Sequence, residues 1–216
     1  MLNKITLKAR LGRAWLPSLL AGIAILGMSN HVLAYDFTKI EEAIETLAPE
    51  TVRDWEQKAR SGDLLAQNVM GIAYKCGIGV KQDHALSIKW FRQAAKQGEA
   101  DAQFNLGRLY AGEVDGAYKK ARAAPANDAE ALKWYLSSAE QGHTQAQVKL
   151  GTLYAKGSNK VPRDPIQGYK WMSLAASSGE QTAKNLLTTS AASMKPEQVR
   201  EAESLVKEWK SRRVAG

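Results

Sequence analysis

Apolar positions in the chain from Gly62 onward fall into stripes at helical spacing, separated by short polar interruptions. Ala66, Met70, Ala73 and Tyr74 recur at i, i+4, i+7 and i+8, the set that 3.6 residues per turn puts on one helix face. The stripe returns in AQFNLGRLYAGEV from Ala102 and in AQVKLGTLYAKG from Ala146. Each is followed by a second run: Ser87-Ile88-Lys89-Trp90, Ala131-Leu132-Lys133-Trp134 and Gly168-Tyr169-Lys170-Trp171. Each closes on a glycine. Gly62, Gly98, Gly142 and Gly179 are spaced 36, 44 and 37 residues apart. Self-similarity at that period predicts a helical array in which every unit is one hairpin of two antiparallel helices.

Local signals set the hairpin details. Gly71, Gly107 and Gly151 fall inside the first helix, where glycine costs up to about 1 kcal/mol relative to alanine. Their recurrence predicts a neighbouring helix too close to admit a side chain. Gly77-Ile78-Gly79 ends the first helix through positions that tolerate positive φ. Asp83, Asp128 and Asp164, the last followed by Pro165, offer N-caps to the second helices. Ala85, Trp90, Ala94 and Ala95 are expected to form the buried face of the second helix, with Ala131, Trp134 and Ala139 as counterparts.

Hairpin arrays need closed ends. Ile40, Ala43, Ile44 and Leu47 have helical spacing, Pro49 breaks the pattern, and residues 50–61 resemble a second helix without its first. At the other end, Lys195-Pro196-Glu197-Gln198 begins a helix carrying Val199, Ala202, Leu205, Val206 and Trp209.

The pattern of Ala, Leu-Gly-x-Leu-Tyr, Gly-x-Gly-Val, Asp, Ala, Trp, Ala-Ala and Gly resembles the Sel1-like repeat, a relative of the tetratricopeptide repeat. Gly77-Ile78-Gly79-Val80 and Asp83 match its loop, and Leu106-Gly107-Arg108-Leu109-Tyr110 and Leu150-Gly151-Thr152-Leu153-Tyr154 match its first helix. The second loop departs by an insertion, and the third replaces Gly-x-Gly-Val by Gly157-Ser158-Asn159-Lys160-Val161. The resemblance implies an all-α fold, a right-handed α-solenoid of antiparallel hairpins, serving mostly as an adaptor in protein complexes; bacterial members are frequently exported. The expected organisation is a signal over 1–34, capping helices over 35–61, repeats over 62–97, 98–141 and 142–178, and a partial repeat with a closing helix over 179–216.

The first 34 residues read as a secretory address. Lys4, Lys8, Arg10 and Arg13 precede the apolar run Leu19–Leu26, and Val32-Leu33-Ala34 suits a signal peptidase. Cleavage is expected after Ala34, leaving no stable membrane span and a periplasmic or secreted protein. The formal charge is +8, but past residue 34 only 26 cations face 22 acids, which gives no support to a nucleic-acid partner. Cys76 is the single cysteine, so no disulfide framework or zinc ribbon arises from this chain alone. Two readings of Cys76 stand: an intermolecular disulfide, or a small residue at a helix end. The insertion from Val114 to Asn127 likewise reads either as a partner-contacting loop or as a tolerated surface excursion.

Catalytic constellations are not found. Past residue 34 the chain has two histidines, His84 and His143, too few for a zinc site and expected in structural or solvent roles. There is no His-Glu-x-x-His, phosphate-binding loop or Gly-x-Ser-x-Gly, and no cofactor is implied. Ser204-Leu205-Val206-Lys207 fits the Ser-x-x-Lys of penicillin-recognising enzymes but lacks its companion motifs. The leading reading is a non-catalytic scaffold binding another protein of the cell envelope, with a cell-envelope hydrolase or penicillin-binding protein as the alternative. Advancing 100° per residue from Ala66 places Asn68, Ile72 and Lys75 at about 200°, 240° and 180°, opposite the buried stripe. Their equivalents are Phe104, Arg108 and Ala111, then Val148, Thr152 and Ala155. The candidate partner-binding set is therefore Asn68, Ile72, Lys75, Phe104, Arg108, Val148 and Thr152. An aromatic beside an arginine is hot-spot composition. The competing reading is that these residues pack between neighbouring first helices.

Overall fold

A computed structural model describes residues 37–113, 127–158 and 160–215. The signal reading of residues 1–34 and nearly all of the insertion, 114–126, lie outside the described residues. Ten α-helices and no strand occur among those described. They are α1 Phe37–Glu45, α2 Val52–Arg60, α3 Leu64–Cys76, α4 His84–Lys96, α5 Ala100–Tyr110, α6 Asp128–Glu140, α7 Thr144–Lys156, α8 Pro165–Ser177, α9 Gln181–Ala192 and α10 Pro196–Ala215. They fall into two units, one holding α1–α4 and the other α5–α10. The helices pair as hairpins: α3 with α4, α5 with α6, α7 with α8.

In the first unit, α1 and α2 both pack on α3. The spaced residues Ile40, Ala43, Ile44 and Leu47 are buried, as is Ala59 of α2. Tyr74 ties α3 to α2 by donating its hydroxyl to Glu56 Oε1 at 2.5 Å, and burial followed by that carboxylate pushes its pKa up to about 12.

The three in-helix glycines mark the closest helix approach, as their recurrence predicts. A β-carbon on Gly71 would lie 2.6 Å from the Phe91 ring, and one on Gly151 the same distance from Met172 Cγ. Gly107 meets Tyr135 in the same way. The side chain against the glycine is thus the residue after each tryptophan, not the tryptophan itself. Trp90 and Trp171 are nonetheless buried, and Trp134 half-buried.

Two details of the second helices differ from expectation. Ala85 is exposed; Ser87 is buried instead, in register with Ala131 and Gly168. The Ser87 hydroxyl donates to Gly71 O at 2.7 Å, so a small residue is needed where the arms of the hairpin meet. In the second repeat the N-cap is Asn127, whose Oδ1 accepts Glu130 N–H, while Asp128 is the first helical residue. Asp83 and Asp164 cap as expected, accepting from Leu86 and Gln167, and Gly77 and Gly79 take φ of 69° and 67°.

A glutamine ladder joins one hairpin to the next. Gln67 Nε2 donates to Ala59 O at 3.1 Å, and Gln147 Nε2 to Ala139 O at 3.3 Å. The residue before the closing glycine completes the bond set: Gln97 Nε2 reaches Gln67 Oε1 at 2.9 Å, and Gln141 Nε2 reaches Gln103 Oε1 at 2.8 Å. In the third repeat that residue is Ser178, too short to reach, and Gln147 Oε1 is left buried without a hydrogen bond.

The closing helix α10 packs on α8. Trp209 meets Trp171 edge-on, with centroids 6.4 Å apart, and its Nε1 donates to Glu140 Oε2 at 2.7 Å. Arg213 adds a bond to Glu140 O at 2.9 Å. Lys195 cannot cap this helix through its side chain, and Gln198 compensates by accepting Lys195 N–H at 3.0 Å, half of a capping box.

Candidate partner-binding surface

Each first helix begins immediately after a closing glycine, and its N-cap is Asp63, Glu99, His143 or Glu180. The closing glycines, at φ of 91–99°, turn the chain so that the next side chain folds back over the exposed N–H groups. In the second unit this requirement brings three polar side chains together. The Glu99 carboxylate accepts Ala102 N–H and Asp101 N–H. Asp101, on the first turn of α5, has Oδ1 2.9 Å from His143 Nε2. His143 Nδ1 accepts Ala146 N–H at 3.2 Å, which assigns the ring proton to Nε2 and makes Asp101 its acceptor.

This cluster is buried. Glu99 and Asp101 are each 6% exposed. Burial first, and the neighbouring Asp101 charge second, push the Glu99 pKa up to about 8, so near neutrality Glu99 holds a proton that it shares with Asp101. Phe104 stacks on the His143 ring at 4.6 Å and tilts against Tyr135 at 6.0 Å; the Arg108 guanidinium lies 5.9 Å from the Phe104 centroid. The sequence singled out Phe104, Arg108 and His143 separately but missed Glu99 and Asp101. Register was the available signal, since both acids follow Gly98 by the offsets that make an N-cap and a first-turn residue.

Most of the proposed contact set is not open surface. Asn68, Ile72, Lys75, Arg108 and Val148 are buried; Phe104 and Thr152 are half-buried. Val148 belongs to an apolar cluster with Ala175 of α8 and Ala183 of α9, so it packs against its own second helix and the next first helix. The Thr152 hydroxyl donates to Val148 O at 2.9 Å. The 100° projection reads one helix alone, and for Val148 the helices packed on it cover what that projection leaves bare.

The other singled-out groups carry no assembled chemistry. His84 is buried at the start of α4, and its pKa is lowered by burial and then by Lys75. Gln82 Nε2 faces His84 Nε2 at 3.3 Å while also donating to Lys75 O, so the His84 proton sits on Nδ1. Cys76 is half-buried at the last position of α3. Ser204 and Lys207 are both exposed on α10. Among the described residues no group of three or more His, Cys, Asp or Glu is placed to hold a metal ion, and no helix is long and apolar enough to cross a membrane.

Comparison with known proteins agrees with this geometry. The Sel1 repeat family model matches residues 64–99, 100–143 and 144–180. Among solved structures, the protective antigen c5321 of uropathogenic Escherichia coli, which displays an SLR fold, superposes with a TM-score of 0.60 at 31% identity, over 78% of this chain and 34% of that one. A Sel1 repeat protein from Oxalobacter formigenes gives 0.58 at 29% identity, over 70% and 58%. A sel1-like repeat-containing protein, L21, of Acanthamoeba polyphaga mimivirus is 38% identical over 55 residues, 26% of this chain and 10% of that protein. The chain therefore spans a tenth of that relative and between a third and three fifths of the two structural neighbours. Proteins built from such repeats are generally protein-interaction scaffolds. With three matched repeats, each one a helix hairpin closed by a glycine and a capping side chain, the chain belongs to the Sel1 repeat family.

Proposed function

We propose that this chain is a non-catalytic protein–protein interaction scaffold of the bacterial periplasm, exported through residues 1–34 with cleavage after Ala34. Its partner is another protein of the cell envelope, met on the first-helix side where Phe104 and Thr152 keep part of their surface. One observation carries the non-catalytic reading. The cluster with the most catalytic character is spent on structure, because one His143 nitrogen accepts Ala146 N–H and the other donates to Asp101. Neither nitrogen is left to take a proton from a nucleophile or water. The penicillin-recognising alternative gains nothing from Ser204 and Lys207, which stand on the exposed side of α10.

Crosslinking in intact cells followed by mass spectrometry tests the scaffold reading. The protein is expected to be recovered from the envelope beginning at Tyr35 and joined to a reproducible partner. Thr152→Glu is expected to weaken that capture with little change in melting. An intact mass retaining Met1, or acylation by a labelled β-lactam, would overturn the respective parts of the reading.

A further inference from the structure

The residue before the second-helix N-cap has a repeated structural duty. In the first repeat it is Gln82, whose Nε2 donates to Lys75 O, in the last turn of α3, at 2.8 Å. In the third repeat it is Arg163, whose Nε donates to the equivalent carbonyl, Ala155 O, at 3.1 Å. A carboxamide meets that duty with one N–H. Arginine meets it and leaves a charged, planar pair of terminal nitrogens to spare.

Those nitrogens are exposed and make no hydrogen bond or ion pair with a described residue. Arg163 lines a cleft of about 120 Å³ with Pro165, Thr189, Ser190, Ser193 and Met194. Ligand pockets for cofactors and metabolites run to several hundred Å³, roughly 300–1,000. This cleft is too small for them and fits a carboxylate on a short methylene stem. Its electrostatics suit an anion. Pro165 is the first residue of α8, whose N-terminus the Asp164 carboxylate already caps, so the cation at the cleft is the Arg163 guanidinium. The hydroxyls can serve as further donors. Thr189 and Ser193 donate only to carbonyls of their own helix, and Ser190 only to Met172 Sδ at 3.7 Å, a weak acceptor it gives up readily.

We propose that this cleft takes the carboxylate of one Asp or Glu side chain of a partner polypeptide, paired with the terminal nitrogens of Arg163 and a hydroxyl of Ser190. The identity of the ligand as part of a protein rests on the scaffold reading above; the carboxylate chemistry rests on the cleft alone.

The test is an NMR titration of the full mature chain, following the Arg163 Nε–H and the Ser190 amide. The probes are acetyl-Gly-Glu-Gly-amide and its Gln counterpart. Saturable shifts are expected with the glutamyl peptide and at least tenfold weaker binding with the glutaminyl one. Arg163→Gln keeps the bond to Ala155 O, as Gln82 does in the first repeat, and is expected to lose binding at least tenfold at unchanged Tm. Ser190→Ala, which leaves Arg163 intact, is expected to weaken binding severalfold. Equal binding of both peptides, full binding by Arg163→Gln, or saturation by inorganic phosphate without the glutamyl peptide would overturn the proposal. Partner capture in cells that survives such a failure leaves the scaffold reading intact. Peptide binding without any captured partner upholds the cleft and sinks the scaffold.

Discussion

Asp101 and His143 are separated by 42 residues of chain, yet Asp101 Oδ1 and His143 Nε2 lie 2.9 Å apart, so the N-cap of α7 is fixed by the first turn of α5. Removing the ring withdraws the cap and leaves a buried carboxylate with one partner fewer. His143→Ala is expected to cost about 1–3 kcal/mol. His143→Asn keeps a capping oxygen and is expected to recover part of that. Thermal melts of the two variants at one pH check the order, which equal melting would refute.

The cluster also makes stability depend on pH. The Glu99 pKa is raised in the folded protein to about 8 from an ordinary value of 4.5, so between those values the folded state binds the extra proton. Stability from this group is full below pH 4.5 and is lost as pH rises toward 8. Glu99→Gln mimics the protonated form. The wild type is expected to lose Tm relative to Glu99→Gln as pH goes from 5 to 8, and parallel Tm profiles would remove Glu99 from the account.

Gly107→Ala sets two effects against each other. Alanine gains up to about 1 kcal/mol of helix propensity. Its β-carbon would stand 2.6 Å from the buried Tyr135 ring, and such overpacking costs about 1–3 kcal/mol. The clash is expected to win, lowering Tm by a few degrees. A raised Tm would mean that the ring gives way freely.

The orphaned Gln147 Oε1 offers a stabilising change. Ser178→Gln restores the carboxamide that Gln97 and Gln141 supply in the other repeats. One buried hydrogen bond is worth about 0.5–1.5 kcal/mol, and urea unfolding should show a gain of that order. No gain would indicate that a water already fills the place.

Trp209 anchors α10 on α8. Trp209→Ala removes the edge contact with Trp171 and the bond to Glu140, and a loss of about 3–5 kcal/mol is expected, read by denaturant unfolding. A loss under about 1 kcal/mol would show that α10 adds little to the closure of the array.

The sequence by itself determined the hairpin and its period. Repeats of one small unit print the same local rules several times, and glycines such as Gly71, Gly107 and Gly151 recur wherever two arms touch. Periodicity of 3.6 and turn chemistry act over a few residues, so they can be read without knowing what lies across the chain. What faces what could be decided only by tertiary structure. Asn68, Ile72 and Val148 lie opposite the buried stripe of their own helix and yet are buried, Val148 because α8 and α9 close over it. Ser87 rather than Ala85 meets the first helix, since the exact rotation of the second arm follows from packing against Gly71. Glu99, Asp101 and His143 converge because two helix starts are stacked, and no sequence period encodes a contact between one cap and the next. The spare fork of Arg163 was equally silent in the sequence, for its surplus becomes visible only when Gln82 is seen making the same bond with a smaller group.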